Sequence, residues 1–192
     1  MAEPTAHPPT RVPAPHDAPP RRVLVAYATR HGSTREVAET IATTLQEHGE
    51  RVDLRAAADC HDLSAYRAIV LGGALYMGRW HRDARTFLRR HSPTLQTRPI
   101  AIFAMGPQSM DERSVRGARR QLDNALRRFR DLDPMAVTIF GGVIDPADLR
   151  FPFNRMKASD ARDWDTIRAW ATELTSRLAA SNAPTADGPE PG

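Results

Sequence analysis

Residues 29–34, which read Thr-Arg-His-Gly-Ser-Thr, are the part of the chain best suited to bind an anion. They follow an apolar run and precede a stretch with helical spacing, so they are expected to form a loop at a helix N-terminus. Backbone N–H groups and the helix dipole favour negative charge there. Thr29, Ser33 and Thr34 add hydroxyl donors, and Gly32 allows the backbone to come close to a ligand. The segment therefore suits a phosphate monoester.

Two common nucleotide-binding loops are excluded for this segment. It lacks the Gly-Lys-Ser/Thr sequence of a Walker loop, and it lacks the Gly-x-Gly-x-x-Gly pattern of dinucleotide-binding folds. A second interpretation stays open, in which the segment is an ordinary tight turn and Ser33 or Thr34 caps the following helix.

The elements that would position this loop alternate between strands and helices. Strands are predicted where the chain is apolar or alternates, at residues 22–27, 51–55, 68–73, 99–105 and 136–140. Helical spacing of apolar residues predicts helices at residues 33–48, 81–91, 111–130 and 164–178. Strands that are apolar throughout are typical of a parallel sheet with helices on both faces. We therefore predict an α/β fold with three αβα layers and a doubly wound, five-stranded parallel sheet.

The predicted fold also indicates where the functional site should be. In doubly wound sheets, ligands bind outside the carboxyl ends of the strands. Three loops of unusual composition follow strands at this edge, at residues 28–34, 72–81 and 104–110. The functional residues are therefore expected in these three loops.

The first loop and its flanks resemble the signature of the flavodoxin family. That signature places an aromatic residue, a hydroxyl residue, a small residue, Thr, Ala and an aliphatic residue at fixed offsets. Residues 27–41 correspond to it and read Tyr-Ala-Thr-Arg-His-Gly-Ser-Thr-Arg-Glu-Val-Ala-Glu-Thr-Ile. The resemblance covers about residues 22–178 and implies a flavodoxin-like fold, strand order 2-1-3-4-5, and FMN as the cofactor. It assigns the FMN phosphate to Thr29, Arg30, His31, Gly32, Ser33 and Thr34.

Within that family, the chain is most similar to the menaquinone-dependent protoporphyrinogen oxidases. Residues 72–81 read Gly-Gly-Ala-Leu-Tyr-Met-Gly-Arg-Trp-His, which resembles a Gly-Ala-Ser-Ile-Arg-Tyr-Gly-His-Tyr/Phe-His loop of those enzymes. The resemblance implies that this loop packs along the flavin ring and that the third loop contacts the pyrimidine side. Tyr76 and Trp80 would also fit aromatics that close the core. The implied contacts are Ala74, Leu75, Tyr76, Met77, Gly78, Trp80, Ala104, Met105, Gly106 and Pro107.

The C-terminal third of the chain carries a further part of the same resemblance, at residues 140–145, 155–157 and 163–164, with a shorter insertion between the first two segments. Arg150, Arg155 and Lys157 lie within eight residues, close to Phe151 and Phe153. Two aromatic rings and three cations suit a flat ligand that bears carboxylates, as a porphyrin does. A solvent-exposed, irregular connection is the alternative.

The charge of the chain bears on three candidate functions. The net charge is +4, and the pI is about 9.9. Carrier flavodoxins are acidic as a family, whereas Arg79, Arg82 and Arg85 near the flavin would favour a readily reduced ring. We therefore expect an FMN-dependent oxidoreductase, similar to protoporphyrinogen oxidases, with a quinone or another small molecule as redox partner. An electron-transfer carrier and a flavin-free binding module on the same fold are the alternatives.

Several features bear on the kind of partner. Residues 111–130 contain seven arginines and three acidic residues, which predicts either a solvated helix face or a docking surface for an acidic protein. The chain has no zinc-ligand pattern, helix-turn-helix turn or aromatic RNA-binding strand motif, so we expect no nucleic-acid partner. The seven histidines form no metal-ligand pattern.

The expected compartment is the cytoplasm. No apolar run approaches the roughly 18 residues of a membrane-spanning helix, and residues 1–20 lack the apolar core of a secretory signal. The one cysteine, Cys60, fits a reducing compartment. Peripheral association with a membrane remains open.

Proline content divides the chain into a domain and two tails. Seven of the 16 prolines fall in residues 1–20, and three fall in residues 181–192. Segments of this composition cannot bury enough apolar surface to offset the entropy of ordering them. We expect one flavodoxin-like domain at residues 21–180 and disordered tails at residues 1–20 and 181–192.

A shortened chain of residues 21–180 should keep the melting temperature and the flavin content of the full chain, because the tails would contribute no buried surface. Thermal unfolding and flavin absorbance measure the two properties. A melting temperature lowered by more than a few degrees would show that a tail packs on the domain.

Overall fold

A computed structural model describes residues 22–181, apart from residues 77, 149, 150, 152 and 156. Two of the predicted site residues, Met77 and Arg150, lie outside the described residues. The expected tails also lie outside them, except for Ser181, which follows the last helix as its C-cap.

The described chain alternates between strands and helices as the apolar runs predict. Three predicted ends change most: the third strand runs on to Tyr76, the second helix runs on to Leu95, and the third helix ends at Leu126. Three short strands were not predicted. The strands are β1 (Arg22–Ala28), β2 (Arg51–Ala56), β3 (Tyr66–Tyr76), β4 (Arg79–Trp80), β5 (Ile100–Met105), β6 (Ala136–Phe140), β7 (Val143–Ile144) and β8 (Ser159–Asp160). The helices are α1 (Ser33–Glu47), α2 (Arg82–Leu95), α3 (Glu112–Leu126) and α4 (Trp164–Ala180).

Five parallel strands form the central sheet in the order β2-β1-β3-β5-β6. This is the predicted order 2-1-3-4-5, since β4 is a short antiparallel addition to β3. Successive side chains of a strand face opposite sides of a sheet. Val23 and Val25 therefore pack with α1 and α4 on one face, whereas Leu24 and Ala26 pack with α2 and α3 on the other. The predicted three-layer αβα fold is confirmed.

The predicted second loop is largely a hairpin. β3 continues past the sheet, turns at Gly78, where φ is +76°, and pairs with β4. Trp80 is only 1% exposed, and its indole N–H donates to the carbonyl of Gly73 over 3.0 Å. A Cβ atom on Gly73 would lie 2.7 Å from that indole nitrogen. A glycine at this position therefore allows the tryptophan to close the hairpin onto the core.

The segment after β6 folds back over the loop that follows β5. The N–H of Gly142 donates to the carbonyl of Pro107 over 2.8 Å. A Cβ atom on Gly142 would overlap the carbonyl oxygen of Gly106, so the close approach requires glycine. β7 then pairs with β8, and Arg162 joins this hairpin to α1 through ion pairs with Asp160 and Glu36, each at 2.6 Å.

Replacing Gly142 by Ala should lower the free energy of unfolding by about 1–3 kcal/mol, because the new methyl group must displace backbone atoms. Denaturant unfolding measures the change. The matched control is Gly117→Ala on α3, where an added Cβ meets no atom within 4 Å. That variant should be neutral or more stable by up to about 1 kcal/mol, because Ala favours helix over Gly. Equal effects of the two substitutions would contradict the packing described for Gly142.

Candidate functional site

A cavity of about 490 Å³ opens at the carboxyl ends of the parallel strands. Its volume lies within the roughly 300–1,000 Å³ that is usual for small-molecule sites. All three predicted loops contribute to its wall, and so does the segment after β6. The lining residues are Thr29, Arg30, His31, Ser33, Ala74, Leu75, Tyr76, Arg79, Trp80, His81, Arg82, Arg85, Met105, Gly106, Gln108, Gly142, Val143, Ile144 and Asp145.

The cavity brings together most of the residues that the sequence singled out. Among the predicted contacts that the structure describes, five do not line it, namely Gly32, Thr34, Gly78, Ala104 and Pro107. Residues 142–145 were missed, since nothing local in the sequence shows that Gly142 binds the carbonyl of Pro107. Residues 140–145 belong to the resemblance described above, and this, with the adjacent glycines at 141 and 142, was the available signal.

The predicted N-cap of α1 is wrong. Gly32 is the N-cap, with a left-handed φ of +93°, and no side chain in the described part of the chain caps the helix. Ser33 and Thr34 lie inside the first turn because the left-handed glycine lets the helix begin directly after it. The Gly32 N–H is taken up within the loop, where it donates to Oγ1 of Thr29 over 2.9 Å.

The first turn of α1 leaves several donors available to a ligand. The helix hydrogen bonds begin with Arg35, whose N–H donates to the carbonyl of Gly32 over 2.8 Å. The N–H groups of Ser33 and Thr34 precede it, as the first N–H groups of a helix do. The Thr34 hydroxyl is fully buried and has no hydrogen-bond partner among the described residues. A buried hydroxyl without a partner is costly, and bound anions commonly satisfy such donors.

Arginine dominates the charge of the cavity. Arg30, Arg79, Arg82 and Arg85 line it, whereas Asp145 is the one carboxylate in the described lining. The Nε atom of Arg85 is buried without a hydrogen-bond partner in the described part of the chain. One cation about 7 Å from an anion, at an effective dielectric constant of about 20, contributes roughly 2 kcal/mol before screening. The cavity therefore favours anionic ligands and the negative charge state of any group that titrates within it.

The two aromatic residues of the β3–β4 hairpin contribute to the cavity in different ways. Trp80 belongs to the core and presents almost no surface to the cavity. Tyr76 is 44% exposed, and the guanidinium carbon of Arg30 lies 5.7 Å from the centre of its ring. Tyr76 is therefore the aromatic side chain that a flat ligand can reach.

His81 lies at the point where the hairpin enters α2, and it lines the cavity. Its Nδ1 accepts a hydrogen bond from the N–H of Asp83 over 3.2 Å, which caps the helix. Nδ1 is therefore the unprotonated nitrogen, and Nε2 carries the proton. Burial lowers the pKa of His81; Asp83 acts in the opposite direction, and the charges of Arg30 and Arg85 lower it further.

The predicted substrate cations lie apart from the cavity where they can be described. Arg155 and Lys157 are exposed, and neither lines the cavity. The Arg155 guanidinium carbon lies 5.3 Å from the ring centre of Phe151, which is 72% exposed. A role for these cations in substrate binding stays a prediction.

Cys60 and the histidines offer no second chemical site in the described chain. Cys60 is buried, and burial raises the pKa of its thiol to about 11, so it is a poor nucleophile. The described residues contain no group of three or more His, Cys, Asp or Glu side chains that could hold a metal ion.

The family model of the flavodoxin domain matches residues 24–157. The chain belongs to the flavodoxin-domain family. Solved structures of this fold agree: oxidised flavodoxin 2 from Bacillus cereus is 20% identical, with a TM-score of 0.55 over 81% of this chain and 99% of that one. The rubredoxin oxygen:oxidoreductase of Desulfovibrio gigas is 17% identical, with a TM-score of 0.57 over 86% of this chain and 38% of that one.

A curated relative matches part of this flavodoxin-domain chain. Protoporphyrinogen IX dehydrogenase [quinone] from Escherichia coli K12 is 28% identical over 89 residues, which are 44% of this chain and 48% of the relative. The match therefore spans about half the length of the curated relative. No helix among the described residues combines the length and apolar character needed to cross a membrane.

Replacing Thr34 by Val should weaken the binding of FMN, the ligand predicted from the sequence, by at least about tenfold. The loss corresponds to one hydrogen bond to a charged phosphate, about 1.5–3 kcal/mol. The flavin-free protein should not lose stability, since Val fills the same space and removes a buried hydroxyl without a partner. Fluorescence titration and thermal unfolding measure the two effects.

The matched control is Thr44→Val on the same helix. The Thr44 hydroxyl is also largely buried, but it donates to the carbonyl of Thr40 over 3.0 Å. This variant should bind FMN with unchanged affinity. If Thr34→Val bound FMN as tightly as the unaltered protein, the assignment of the loop would be wrong.

Proposed function

We propose that the chain binds FMN in this cavity and acts as an FMN-dependent oxidoreductase. The observation that carries the proposal is the hydroxyl of Thr34, which has no partner among the described residues. Thr34 is buried rather than part of the cavity wall, and it follows the lining residue Ser33 in the first turn of α1. A phosphate at this helix end would accept hydrogen bonds from that hydroxyl and from the N–H groups of Ser33 and Thr34. Thr29 shapes the loop through its bond to the Gly32 N–H.

The remainder of the cavity suits the ring of FMN, which supplies one- and two-electron chemistry when bound. Leu75, Tyr76 and Met105 give apolar and aromatic wall, and Gln108 adds a side-chain amide. A flat heterocycle needs apolar faces and a few polar groups at its edge, which is this combination.

The arginines of the cavity support an enzyme that accepts electrons readily. They would stabilise the negative charge of reduced flavin, which raises its reduction potential. We propose a quinone as the acceptor, in keeping with the name of the Escherichia coli relative. The donor class to test first is a flat molecule with carboxylates, for which Arg150, Arg155 and Lys157 are the proposed contacts. We propose the cytoplasm as the compartment, on the grounds of the single Cys60.

An electron-transfer carrier is the second candidate. The exposed Tyr76 and the arginines around it would suit docking of an acidic redox protein at the cavity, and the arginines of α3 extend the positive charge. A flavin-free binding module is the third candidate, and the buried donors at the start of α1 argue against it.

The first experiment is a visible spectrum of the purified full-length chain, followed by acid release and mass determination of the cofactor. We expect a yellow protein that releases FMN and not FAD. Anaerobic reduction, then addition of a soluble naphthoquinone, should reoxidise the flavin over repeated turnovers. A colourless protein that fails to bind added FMN would refute the proposal. Flavin that reoxidises only through an added redox protein would favour the carrier.

Replacing Arg85 by Gln should lower the reduction potential of the bound flavin, on the order of 40 mV for a two-electron couple if the full 2 kcal/mol is lost. Spectroelectrochemical titration measures the potential. The control is Arg89→Gln, an exposed residue of α2 outside the cavity lining, which should leave the potential unchanged. Equal potentials for the Arg85 variant and the unaltered protein would show that this cation does not act on the ring.

A further inference from the structure

We propose that His81 takes up a proton at Nδ1 when the flavin is reduced, with Asp83 as the partner of the resulting imidazolium. The inference rests on the proposed function, because it requires a flavin in the cavity. It adds a residue role that neither the cap of α2 nor the binding of FMN requires.

The hydrogen bond at the start of α2 determines which nitrogen can gain the proton. Nδ1 of His81 accepts from the N–H of Asp83, so its lone pair points at the helix end and Nε2 already carries a proton. The Asp83 carboxylate lies 3.8 Å from the same Nδ1. Protonation of Nδ1 would therefore exchange a helix-cap hydrogen bond for an ion pair with the neighbouring carboxylate.

The groups that face His81 are mostly cationic. Asp83 and Arg85 act on it from its own helix, and Arg30 acts from the loop after β1. The other charged or titratable residues of the described cavity wall are His31, Tyr76, Arg79, Arg82 and Asp145. Burial is the main cause of the lowered pKa of His81, and the charges of Arg30 and Arg85 lower it further. The phosphate of FMN is present in both oxidation states, so only the negative charge gained by the ring on reduction would raise the pKa of His81.

The balance of charge and atoms is simple. A two-electron donor, dithionite in the test below, gives two electrons to the ring. With one proton, these leave the ring with one negative charge. The negative charge on the ring is stabilised by the arginines of the cavity. It also favours the uptake of a second proton from solvent by the imidazole of His81. His81 would have one pKa in the oxidised protein and a higher pKa in the reduced protein. Between these two pH values, reduction consumes two protons for two electrons.

The direct test is an NMR titration of the histidine rings in flavin-loaded protein, oxidised and then reduced by dithionite without oxygen. We expect the pKa of His81 to be higher in the reduced protein. His48, the C-cap of α1, lies outside the cavity lining and should titrate alike in both states. A His81 ring that titrates at the same pH in both states would overturn the proposal.

The second test is the dependence of reduction potential on pH for His81→Asn, His31→Asn and His48→Asn. Asn is a good helix N-cap, so the His81 variant should keep the start of α2 while losing the titrating group. In the unaltered protein, the slope of reduction potential against pH should double over one pH interval. This doubling should disappear in His81→Asn and persist in the other two variants. Its disappearance in His31→Asn instead would assign the proton to His31 and overturn the proposal.

A third variant examines the role of Asp83. Asp83→Asn keeps the backbone N–H that caps the helix but removes the carboxylate, so the doubled slope should move to lower pH. A chain that binds no flavin overturns both the proposed function and this inference. A chain that binds FMN normally, but whose slope is unchanged by His81→Asn, overturns the inference alone.

Discussion

The left-handed backbone of Gly32 is the constraint on which the binding site depends. At φ +93° this glycine ends the loop and begins α1 in one step, so no side chain occupies the helix N-terminus. A Ser or Asp cap in its place would satisfy the first N–H groups internally. Because the described residues supply no side-chain cap, the first N–H groups remain available as donors. The buried hydroxyl of Thr34 also has no partner in the described chain. The loop is thus organised for an anion before any ligand arrives.

The remaining walls add what a phosphate loop cannot supply. The hairpin of β3 and β4, closed by Trp80, carries Tyr76 to the rim and brings the start of α2 beside the cavity. The segment held by Gly142 forms another part of the wall. Between them lie four arginines and one described carboxylate, so the electrostatics of the cavity favour an electron-accepting ring. In the proposed complex, binding of the phosphate and tuning of the ring are therefore tasks of separate elements.

Local patterns in the sequence predicted the strands and the loops at the edge of the sheet, because apolar runs and Gly-rich turns act over short distances. The strand order came from the resemblance to flavodoxins. The local patterns predicted Ser33 or Thr34 as the cap, which is wrong, because the left-handed φ of Gly32 cannot be read from the residue types. The burial of Trp80 depends on space left by Gly73. Residues 142–145 reach the cavity through a contact with Pro107, about 35 positions away in the chain. Such contacts arise only from the tertiary structure.

In the proposed complex, the start of α1 holds the phosphate of FMN. The most direct measurement compares the affinities of the flavin-free protein for FMN and for riboflavin, which has the same ring but no phosphate. If the claim is correct, FMN binds at least about a hundredfold more tightly, since two or more charge-assisted hydrogen bonds are lost with the phosphate. Equal affinities for the two flavins would contradict it.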